Sequence, residues 1–406
     1  MNLLTAKEHS VSHGWKRMST LLATVGRQNN SLPSTGIFVN PPLERGSTVV
    51  YPSVKAMQSA DHYSYNHLTV YGAMGSPNQH QLEQIIAQIE GGQNTQIVST
   101  GLAACTLPLL TFLQPGDHCL VIDSVYGPTR RFCETVLKGF HIETDFYPAE
   151  CSPEHISNYF KSNTRIVVSE SPGSHTFEVQ DIPLLSKITH EKGAKLLVDN
   201  TWGIGIFQPF EHGADISSQA LTKYANGHSD AVLGAITVNK AEDWIKVRNT
   251  AIAFGEIGGP DACWLTLRGL RSLPARLEKQ SVSALQIAEW CQQQSSIKSV
   301  LHPAFPGTVG HEIWKRDFTG ASSLFSVVFS DSVTVDKMVN MINQLKFFSI
   351  GASWGGYESL VLPTNGTIKR NFDYDHLKKA MCRLHIGLEN TQDLIEDLKQ
   401  AFSIFL

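Results

Sequence analysis

Short apolar segments alternate with helical segments between residues 96 and 238, and this alternation constrains the fold more than any other feature. Strands that are buried on both faces read as continuous apolar runs, which is typical of parallel sheets covered by helices. The predicted strands are 96–99, 119–123, 165–169, 196–199 and 231–238. We therefore predict an α/β protein with a large, mainly parallel sheet and helices on both of its faces.

Helices are predicted between these strands. In the first, apolar residues recur at helical spacing from Leu82 to Ile89, and Gly91 supplies the stop. Further helices are predicted at 100–113, 128–138 and 181–190.

The order of elements changes beyond about residue 265. Strands are predicted at 324–329, 359–362 and 384–386, with a helix at 335–345 and a last helix that Asn390 caps. This pattern predicts a smaller C-terminal α+β domain. The predicted organisation is an irregular segment at 1–70 that wraps over another surface, a large domain at 71–265 and a small domain at 266–406.

Charge and cysteine content exclude several classes of function. The chain has 33 Lys and Arg against 37 Asp and Glu, a net charge of −4, which disfavours nucleic acid or an acidic membrane as a partner. Its seven Cys are scattered without metal-site or disulfide-framework spacing, so we expect no metal, reduced thiols and a cytoplasmic location. No apolar run is long enough to cross a bilayer.

The turn at Gly101 and Leu102 joins a predicted strand to a predicted helix. A helix N-terminus offers unpaired N–H groups, and a glycine there lets the backbone approach a phosphate closely. A tight turn without a ligand explains the same residues, and the sequence matches neither a dinucleotide fingerprint nor a P-loop. The turn alone therefore leaves both interpretations open.

Asp199 ends an apolar strand, which would bring its carboxylate to the carboxyl edge of the sheet, where such folds bind ligands. A buried carboxylate needs a partner, and a protonated pyridine nitrogen would suit it. A helix cap or an ion pair with a surface arginine is an equally good explanation.

Lys223 lies in the segment 219–224 (QALTKY), among apolar residues and a hydroxyl. Desolvation disfavours the ammonium form and makes the amine nucleophilic towards an aldehyde. Thr222 could share a phosphate with Gly101. Most lysines are simply solvated, but the 24 residues that separate Lys223 from Asp199 suit two strands that end on one sheet edge.

Several motifs in order resemble the Cys/Met-metabolism family of fold-type I pyridoxal-phosphate enzymes. The resemblance runs from about residue 40 to the C-terminus. Its motifs are 71–72 (YG), 91–92 (GG), 124–129 (SVYGPT), 170–173 (ESPG), 199–202 (DNTW), 219–224 (QALTKY) and 227–230 (GHSD). Within the family, the segments 314–320 (WKRDFTG), 353–360 (SWGGYESL) and 383–389 (RLHIGLE) resemble those of bacterial cystathionine β-lyases.

The resemblance implies a role for each matching residue. Lys223 would bind pyridoxal phosphate covalently and act as catalytic base, Asp199 would pair with the pyridine nitrogen, and Tyr126 would stack on the ring. The implied phosphate contacts are Gly101, Leu102, Thr222 and Tyr71. The implied substrate contacts are Arg383, Trp354, Ser353 and Tyr71, with Arg383 binding the carboxylate as a bidentate fork.

One position departs from the family. The family commonly has Tyr-Gly-Arg where this chain has Tyr71, Gly72 and Ala73, and the Tyr and Arg of that motif reach a neighbouring subunit's phosphate. Losing one charge-assisted contact would cost about 1.5–3 kcal/mol unless another group such as His67 replaces it. The resemblance also implies a homo-oligomer, typically a dimer of dimers, with active sites shared between chains.

The activity implied is β-elimination from L-cystathionine or a related cysteine conjugate, giving a thiol, pyruvate and ammonia. Trp354 favours it, since γ-acting members usually carry an aliphatic residue there. Other reactions of an amino acid remain open: γ-lyase or γ-synthase chemistry, cysteine desulfhydration and racemisation. A non-catalytic protein that keeps the fold is a further alternative, for which Ala73 is the one supporting feature.

Overall fold

The structure is a computed structural model that describes residues 18–24 and 38–405. The wrapping segment predicted at 1–70 therefore lies partly outside the described residues. The described part of this segment forms two short helices, at 18–24 and 54–58, and its other residues are irregular, as predicted.

The described residues form thirteen α-helices and twelve strands, numbered here in chain order. The helices are α1 (Met18–Thr24), α2 (Val54–Gln58), α3 (Pro77–Glu90), α4 (Gly101–Phe112), α5 (Gly127–Phe132), α6 (Pro153–Ile156), α7 (Ile182–Glu191), α8 (Ala241–Phe254), α9 (Pro260–Leu270), α10 (Leu273–Gln292), α11 (His311–Asp317), α12 (Val335–Ile342) and α13 (Thr391–Phe402). The strands are β1 (Asn94–Val98), β2 (His118–Ile122), β3 (Glu143–Tyr147), β4 (Thr164–Glu170), β5 (Lys195–Asp199), β6 (Ile216–Ala220), β7 (Gly234–Val238), β8 (Ile297–Leu301), β9 (Leu324–Phe329), β10 (Ser349–Ile350), β11 (Leu360–Pro363) and β12 (Met381–His385).

Seven strands form the large sheet, in the order β1-β7-β6-β5-β4-β2-β3. All neighbours are parallel except β7, which runs antiparallel to both β1 and β6. The predicted mainly parallel sheet is confirmed. Glu170 and Asp199, the last residues of β4 and β5, stand side by side in register, and Asp199 is in register with Ser218 within β6.

Five strands form the second sheet, in the order β10-β11-β12-β9-β8, with antiparallel pairs except between β10 and β11. We propose the two sheets as the cores of the two predicted domains. The boundary predicted at 265 falls inside α9, which runs from Pro260 to Leu270.

Several local features differ from the sequence prediction: the helix predicted at 335–345 ends at Ile342, and the strand predicted at 384–386 runs from Met381 to His385. The strand predicted at 231–238 begins at Gly234. The helix predicted at 128–138 is α-helical only to Phe132 and continues as a π-helix from Cys133 to Leu137. Strand β3 was not predicted, because its first three residues are polar and only Phe146 and Tyr147 are buried.

The seven cysteines are free thiols, and all but Cys151 are buried. Burial raises the pKa of each of them above its ordinary value. Across 18–24 and 38–405, none of the helices combines the length and the apolar character that a membrane span requires.

Candidate active site

Lys223 lies three residues beyond β6, and its amine points towards the loop between β10 and β11. Its Nζ donates to Ser353 Oγ at 2.9 Å and lies 5.3 Å from the centre of the Trp354 ring. Burial and the nearby charge of Arg383 lower the pKa of the amine to about 8, although Asp199 opposes the shift. A large fraction of this lysine is therefore neutral and nucleophilic at mildly alkaline pH.

Asp199 is the last residue of β5 and is buried. Its Oδ1 accepts from the N–H and the hydroxyl of Thr201, at 3.0 and 2.6 Å, and its Oδ2 accepts from Cys105 Sγ at 3.3 Å. Burial raises the pKa of the carboxyl despite these donors. A thiol is a weak donor, so Oδ2 can still gain from a cationic N–H partner.

Gly101 begins α4, and Thr100 caps the helix by accepting from the Ala103 N–H at 3.0 Å. A Cβ at position 101 would lie 2.5 Å from the Cβ of Ala220, the last residue of β6. The glycine is thus required for packing, because the helix N-terminus lies directly against the strand that leads to Lys223. Leu102, in the same turn, is partly exposed.

Thr222 uses its hydroxyl within the chain. The Oγ1 accepts from the Leu233 N–H at 3.0 Å and donates to the Leu233 carbonyl at 3.2 Å. Its predicted phosphate contact stays a prediction, and it would require the hydroxyl hydrogen to turn away from Leu233.

Tyr126 precedes α5 at the carboxyl edge of the sheet, and its side chain is 42% exposed. Its backbone N–H donates to Glu170 Oε2 at 2.6 Å. Burial, followed by the charges of Cys105, Glu170 and Asp199, raises the pKa of the phenol. The exposed ring stands at the same sheet edge as Asp199, where an aromatic ligand paired with Asp199 could stack on it.

The second sheet contributes Arg383, which lies in β12 and is buried. Its Nη2 donates to the carbonyls of Ala352 and Ser353, at 2.5 and 3.3 Å, and burial lowers its pKa to about 10. These bonds attach the guanidinium to the loop that carries Ser353 and Trp354. Ser353, Trp354 and Arg383 lie 130–160 residues after Lys223 in the sequence, and the fold brings them to the Lys223 amine.

Tyr71 lies at the surface of the chain. It is 50% exposed and stands at the start of the turn Gly72–Met74. His67, the suggested replacement for the missing arginine, is bound within its own chain: its Nδ1 lies 3.0 Å from Glu83 Oε2, and its ring stacks on Trp244 at 5.4 Å. The structure therefore gives His67 a different partner.

Two groups beside Asp199 received no role from the sequence. Cys105 is the thiol that donates to Asp199, and Glu170 is the neighbour of Asp199 in the sheet. Burial and the charge of Asp199 raise the pKa of Glu170 well above its usual range. Glu170 belongs to a motif that the sequence displays, whereas nothing local marks Cys105, which becomes significant only when α4 packs on β5 and β6.

Glu90, the last residue of α3, forms a buried cluster behind Asp199. Its carboxylate accepts from Gln219 Nε2 at 2.7 Å, from Ser217 Oγ at 2.5 Å and from Asn200 Nδ2 at 3.1 Å. Gln219 also donates to the Asn200 carbonyl at 2.9 Å. The cluster therefore holds the backbone that immediately follows Asp199.

Glu83 forms a second buried cluster, one that anchors the segment carrying Tyr71. Besides His67, its partners are Gln79 Nε2 at 2.8 Å, the Ile97 N–H at 3.3 Å and Arg248 Nη1 at 3.6 Å. Arg248 also donates to the carbonyls of Tyr63 and Met74. The segment between residues 63 and 74 is thereby attached to α3 and α8.

Comparisons with known proteins agree with this fold. A model of the Cys/Met metabolism PLP-dependent enzyme family matches residues 19–403. Cystathionine beta-lyase MetC of Escherichia coli (strain K12) is 36% identical, covering 96% of this chain and 98% of that protein. Cystathionine beta-lyase of Bordetella avium is 37% identical, covering 95% and 97%.

Among solved structures, the crystal structure of cystathionine gamma synthase from Xanthomonas oryzae pv. oryzae in complex with aminoacrylate and cysteine has a TM-score of 0.87. It is 27% identical to this chain, covering 97% of this chain and 99% of that one. The fold class predicted from the sequence is confirmed.

A partly buried amine of lowered pKa, a buried carboxylate and an exposed aromatic ring on one sheet edge are typical of enzymes that bind an aromatic aldehyde cofactor. The chain belongs to the Cys/Met metabolism PLP-dependent enzyme family. Its residues fit pyridoxal phosphate, because Lys223 supplies the nucleophilic amine and Asp199 Oδ2 can take a stronger donor than the Cys105 thiol.

Proposed function

We propose that this protein is a carbon–sulfur β-lyase that cleaves L-cystathionine, or a related cysteine conjugate, to a thiol, pyruvate and ammonia. The observation that carries the proposal is the position of the Lys223 amine, 2.9 Å from Ser353 Oγ and 5.3 Å from the Trp354 ring. The relatives of Escherichia coli and Bordetella avium, both called cystathionine beta-lyase, support it over nearly the whole chain.

The side chains have separate tasks in this proposal. Arg383 binds the substrate carboxylate, and the neutral Lys223 amine takes the proton from Cα. Asp199 balances a positive charge on the cofactor ring, and Tyr126 stacks on that ring. When bound, pyridoxal phosphate supplies an electron sink for the bonds broken next to the amino group. The partly buried Trp354 would line the pocket for the departing sulfur side chain.

Product analysis tests the reaction. We would incubate purified protein with L-cystathionine and follow free thiol, pyruvate and α-ketobutyrate, with L-cysteine, L-methionine and L-alanine in parallel. Pyruvate together with homocysteine is expected. α-Ketobutyrate would instead establish γ-elimination, and racemised L-alanine would establish the racemase alternative. Protein that stays colourless with added cofactor would contradict the enzyme proposal altogether.

Lys223→Ala tests the catalytic base. We expect loss of turnover and of the visible absorbance near ~420 nm that this cofactor gives when it is attached to a lysine. Lys187→Ala, in an exposed part of α7, is the matched control and should retain both. In the native protein, kcat should rise with pH through the range near 8, because it reports the substrate-bound enzyme, in which the Lys223 amine is free, and only the neutral amine accepts a proton.

The active site is also proposed to be shared between two chains of a homo-oligomer, a dimer of dimers. Tyr71 is half exposed although the resemblance gives it a phosphate contact. Exposed apolar side chains are frequent in the same stretch: Phe38, Val39, Val50, Val54, Met57, Tyr63 and Leu68. Such a surface is typical of an interface between subunits.

Subunit mixing tests the shared site. Lys223→Ala and Tyr71→Ala should each be inactive, but hybrids formed from the two should contain one native site per dimer. We expect roughly a quarter of the native activity after random reassociation. No recovery, although hybrids have formed, would mean that Tyr71 serves its own chain.

The proposed location is the cytoplasm. Seven free cysteines support it, because unpaired thiols are typical of a reducing compartment. Fractionation of cells that express the protein would test it.

A further inference from the structure

The loop at residues 353–356 lies directly against the backbone of Lys223. Gly355 has a φ of +88°, and a Cβ there would lie 2.7 Å from the Tyr224 nitrogen and 2.9 Å from the Lys223 Cα. No side chain fits between the two segments. The distance between Lys223 and the side chains of Ser353 and Trp354 is therefore set by whatever holds this loop.

His385 holds the loop from behind. It follows Arg383 by two residues in β12, so both side chains lie on one face of the strand. Its Nε2 is 3.1 Å from the Gly355 nitrogen and 3.2 Å from the Gly356 carbonyl oxygen. Burial lowers the pKa of His385 to about 3, so the ring is neutral and bears a single N–H.

The other ring nitrogen of His385 is connected through Ser323 to Tyr224, the residue next to Lys223. His385 Nδ1 lies 2.9 Å from Ser323 Oγ, which lies 2.7 Å from the hydroxyl of Tyr224. The Tyr224 ring packs edge-on against Trp354, with centroids 5.2 Å apart. The network is thus closed: it begins beside Lys223 and ends at the loop that carries Trp354.

The hydrogen bonds also indicate which nitrogen bears the proton. Gln280 Nε2 already donates to the Gly356 carbonyl at 2.6 Å. With the proton on Nδ1, His385 donates to Ser323 Oγ and Nε2 accepts from the Gly355 N–H, so both nitrogens and the loop amide have partners.

We propose that His385 is a positioning residue that fixes the 353–356 loop against Lys223 and thereby sets the shape of the pocket for the substrate side chain. The proposal deepens the proposed function, on which it rests for the identity of the substrate. The effect of His385 on the mobility of the loop can be measured whatever the substrate is.

Two amides of different reach make the test specific. In His385→Gln the amide extends towards the position of Nε2 and can still bond the loop. In His385→Asn it reaches only the position of Nδ1, which is 2.9 Å from Ser323 Oγ but 3.4 Å from the Gly355 nitrogen, so the bond to the loop is weakened. The matched control is His302→Asn, because His302 is also a fully buried neutral histidine but bonds the Ser322 carbonyl and the Ala304 N–H instead of the loop.

Hydrogen exchange of the peptide spanning 353–358 is the first measurement, made on the cofactor-loaded protein. We expect roughly tenfold faster exchange in His385→Asn, because most of one hydrogen bond to the loop is lost, and native exchange in His385→Gln and His302→Asn. Equal exchange in the Asn and Gln variants would overturn the proposal. Should His385→Asn fail to fold, Ser323→Ala removes the partner that orients the His385 ring and should accelerate the same peptide.

Kinetics with the amino acid that the native enzyme turns over is the second measurement. We expect kcat/KM to fall about 100-fold in His385→Asn, because a displacement of about 1 Å at a positioning contact costs that much, and to recover in His385→Gln. An unchanged kcat/KM with a loosened loop would overturn the role in the pocket. A native protein inactive on cystathionine would overturn the proposed function alone, since the exchange result does not depend on it.

Discussion

Two buried carboxylates of one helix behave in opposite ways. Glu83 and Glu90 lie seven residues apart on α3, and neither is exposed. Burial disfavours the ionised form of Glu83, but the hydrogen bond from His67 and the charge of Arg248 outweigh it and lower the pKa. Glu90 has only neutral donors and lies near Asp199, so burial raises its pKa to about 7.

The difference teaches that burial alone does not decide the charge of a carboxylate. The partners do: the hydrogen bond from His67 and the Arg248 guanidinium keep Glu83 ionised, whereas amides and a hydroxyl leave Glu90 about half protonated near pH 7. Glu83 anchors the segment that carries Tyr71, and Glu90 supports the strand end that carries Asp199. Two carboxylates with different charge states therefore stabilise two different parts of the site.

Glu83→Gln should have the largest effect on stability. It would leave Arg248, which is 1% exposed, without its anionic partner, and we expect a loss of about 3–5 kcal/mol in the free energy of unfolding. Urea titration at pH 7.5 measures it. The double variant Glu83→Gln with Arg248→Met should recover part of the loss, and equal losses in the single and double variants would contradict the pairing.

Glu90→Gln should change the pH dependence of stability. The unfolded carboxyl ionises near 4.5 and the folded one at about 7, so the stabilisation is complete below pH 4.5 and is lost as the pH rises to 7. A pKa difference of about 2.5 corresponds to about 3 kcal/mol. Urea titrations at pH 4.5 and 8 should show the variant gaining this amount relative to the native protein. Parallel curves would mean that Glu90 is ionised throughout.

The contribution of Glu83 has the opposite sign and a lower pH window. Because its folded pKa lies below 4.5, its stabilisation is present above pH 4.5 and is lost as the pH falls through the folded pKa. The native protein and Glu83→Gln should therefore converge in stability below pH 4.5. Urea midpoints at pH 3.5 and 6 test this, and a constant gap between the two proteins would contradict it.

His67→Phe should have the smallest effect. Phenylalanine keeps the stack on Trp244 but cannot bond Glu83, which retains Arg248 and Gln79. We expect a loss of about 1.5 kcal/mol at pH 7.5, the value of one hydrogen bond to a charged group. A loss as large as that of Glu83→Gln would mean that His67, and not Arg248, is the main partner of the carboxylate.

The contrast between the two glutamates also marks the limit of prediction from sequence. Both belong to one predicted helix, and nothing near them in the chain distinguishes them. Arg248, a partner of Glu83, lies 165 residues further along the chain. Asn200, a partner of Glu90, directly follows Asp199. The charge of each is therefore a property of the tertiary fold.

Elements with strong local patterns were predicted well. The apolar strand at 324–329 coincides with β9, and the stop at Gly91 is a left-handed cap with a φ of +76°. Strand β3 was missed because an edge strand with a polar start lacks a continuous apolar signal. The direction of β7 was also beyond the sequence, since apolar content does not encode strand polarity.

Within the site, chemistry could be predicted where one residue type has few alternatives, as for Lys223. The nearness of Ser353, 130 residues further along, followed only from the family resemblance, and His385 and Cys105 appear only when helices and sheets are packed. Their roles depend on contacts between distant segments, which no local pattern records.

The protonated, buried cysteines have a consequence for work in the presence of sulfur compounds. An enzyme of the proposed kind releases a thiol at each turnover, and air oxidises such a thiol to its disulfide. A cysteine thiolate of the protein that attacks this disulfide forms a mixed disulfide and releases one product thiol. Because six of the seven cysteines are buried and every pKa is raised, the chain offers few thiolates for this exchange. It should keep its activity through long exposure to the disulfide of the thiol it makes.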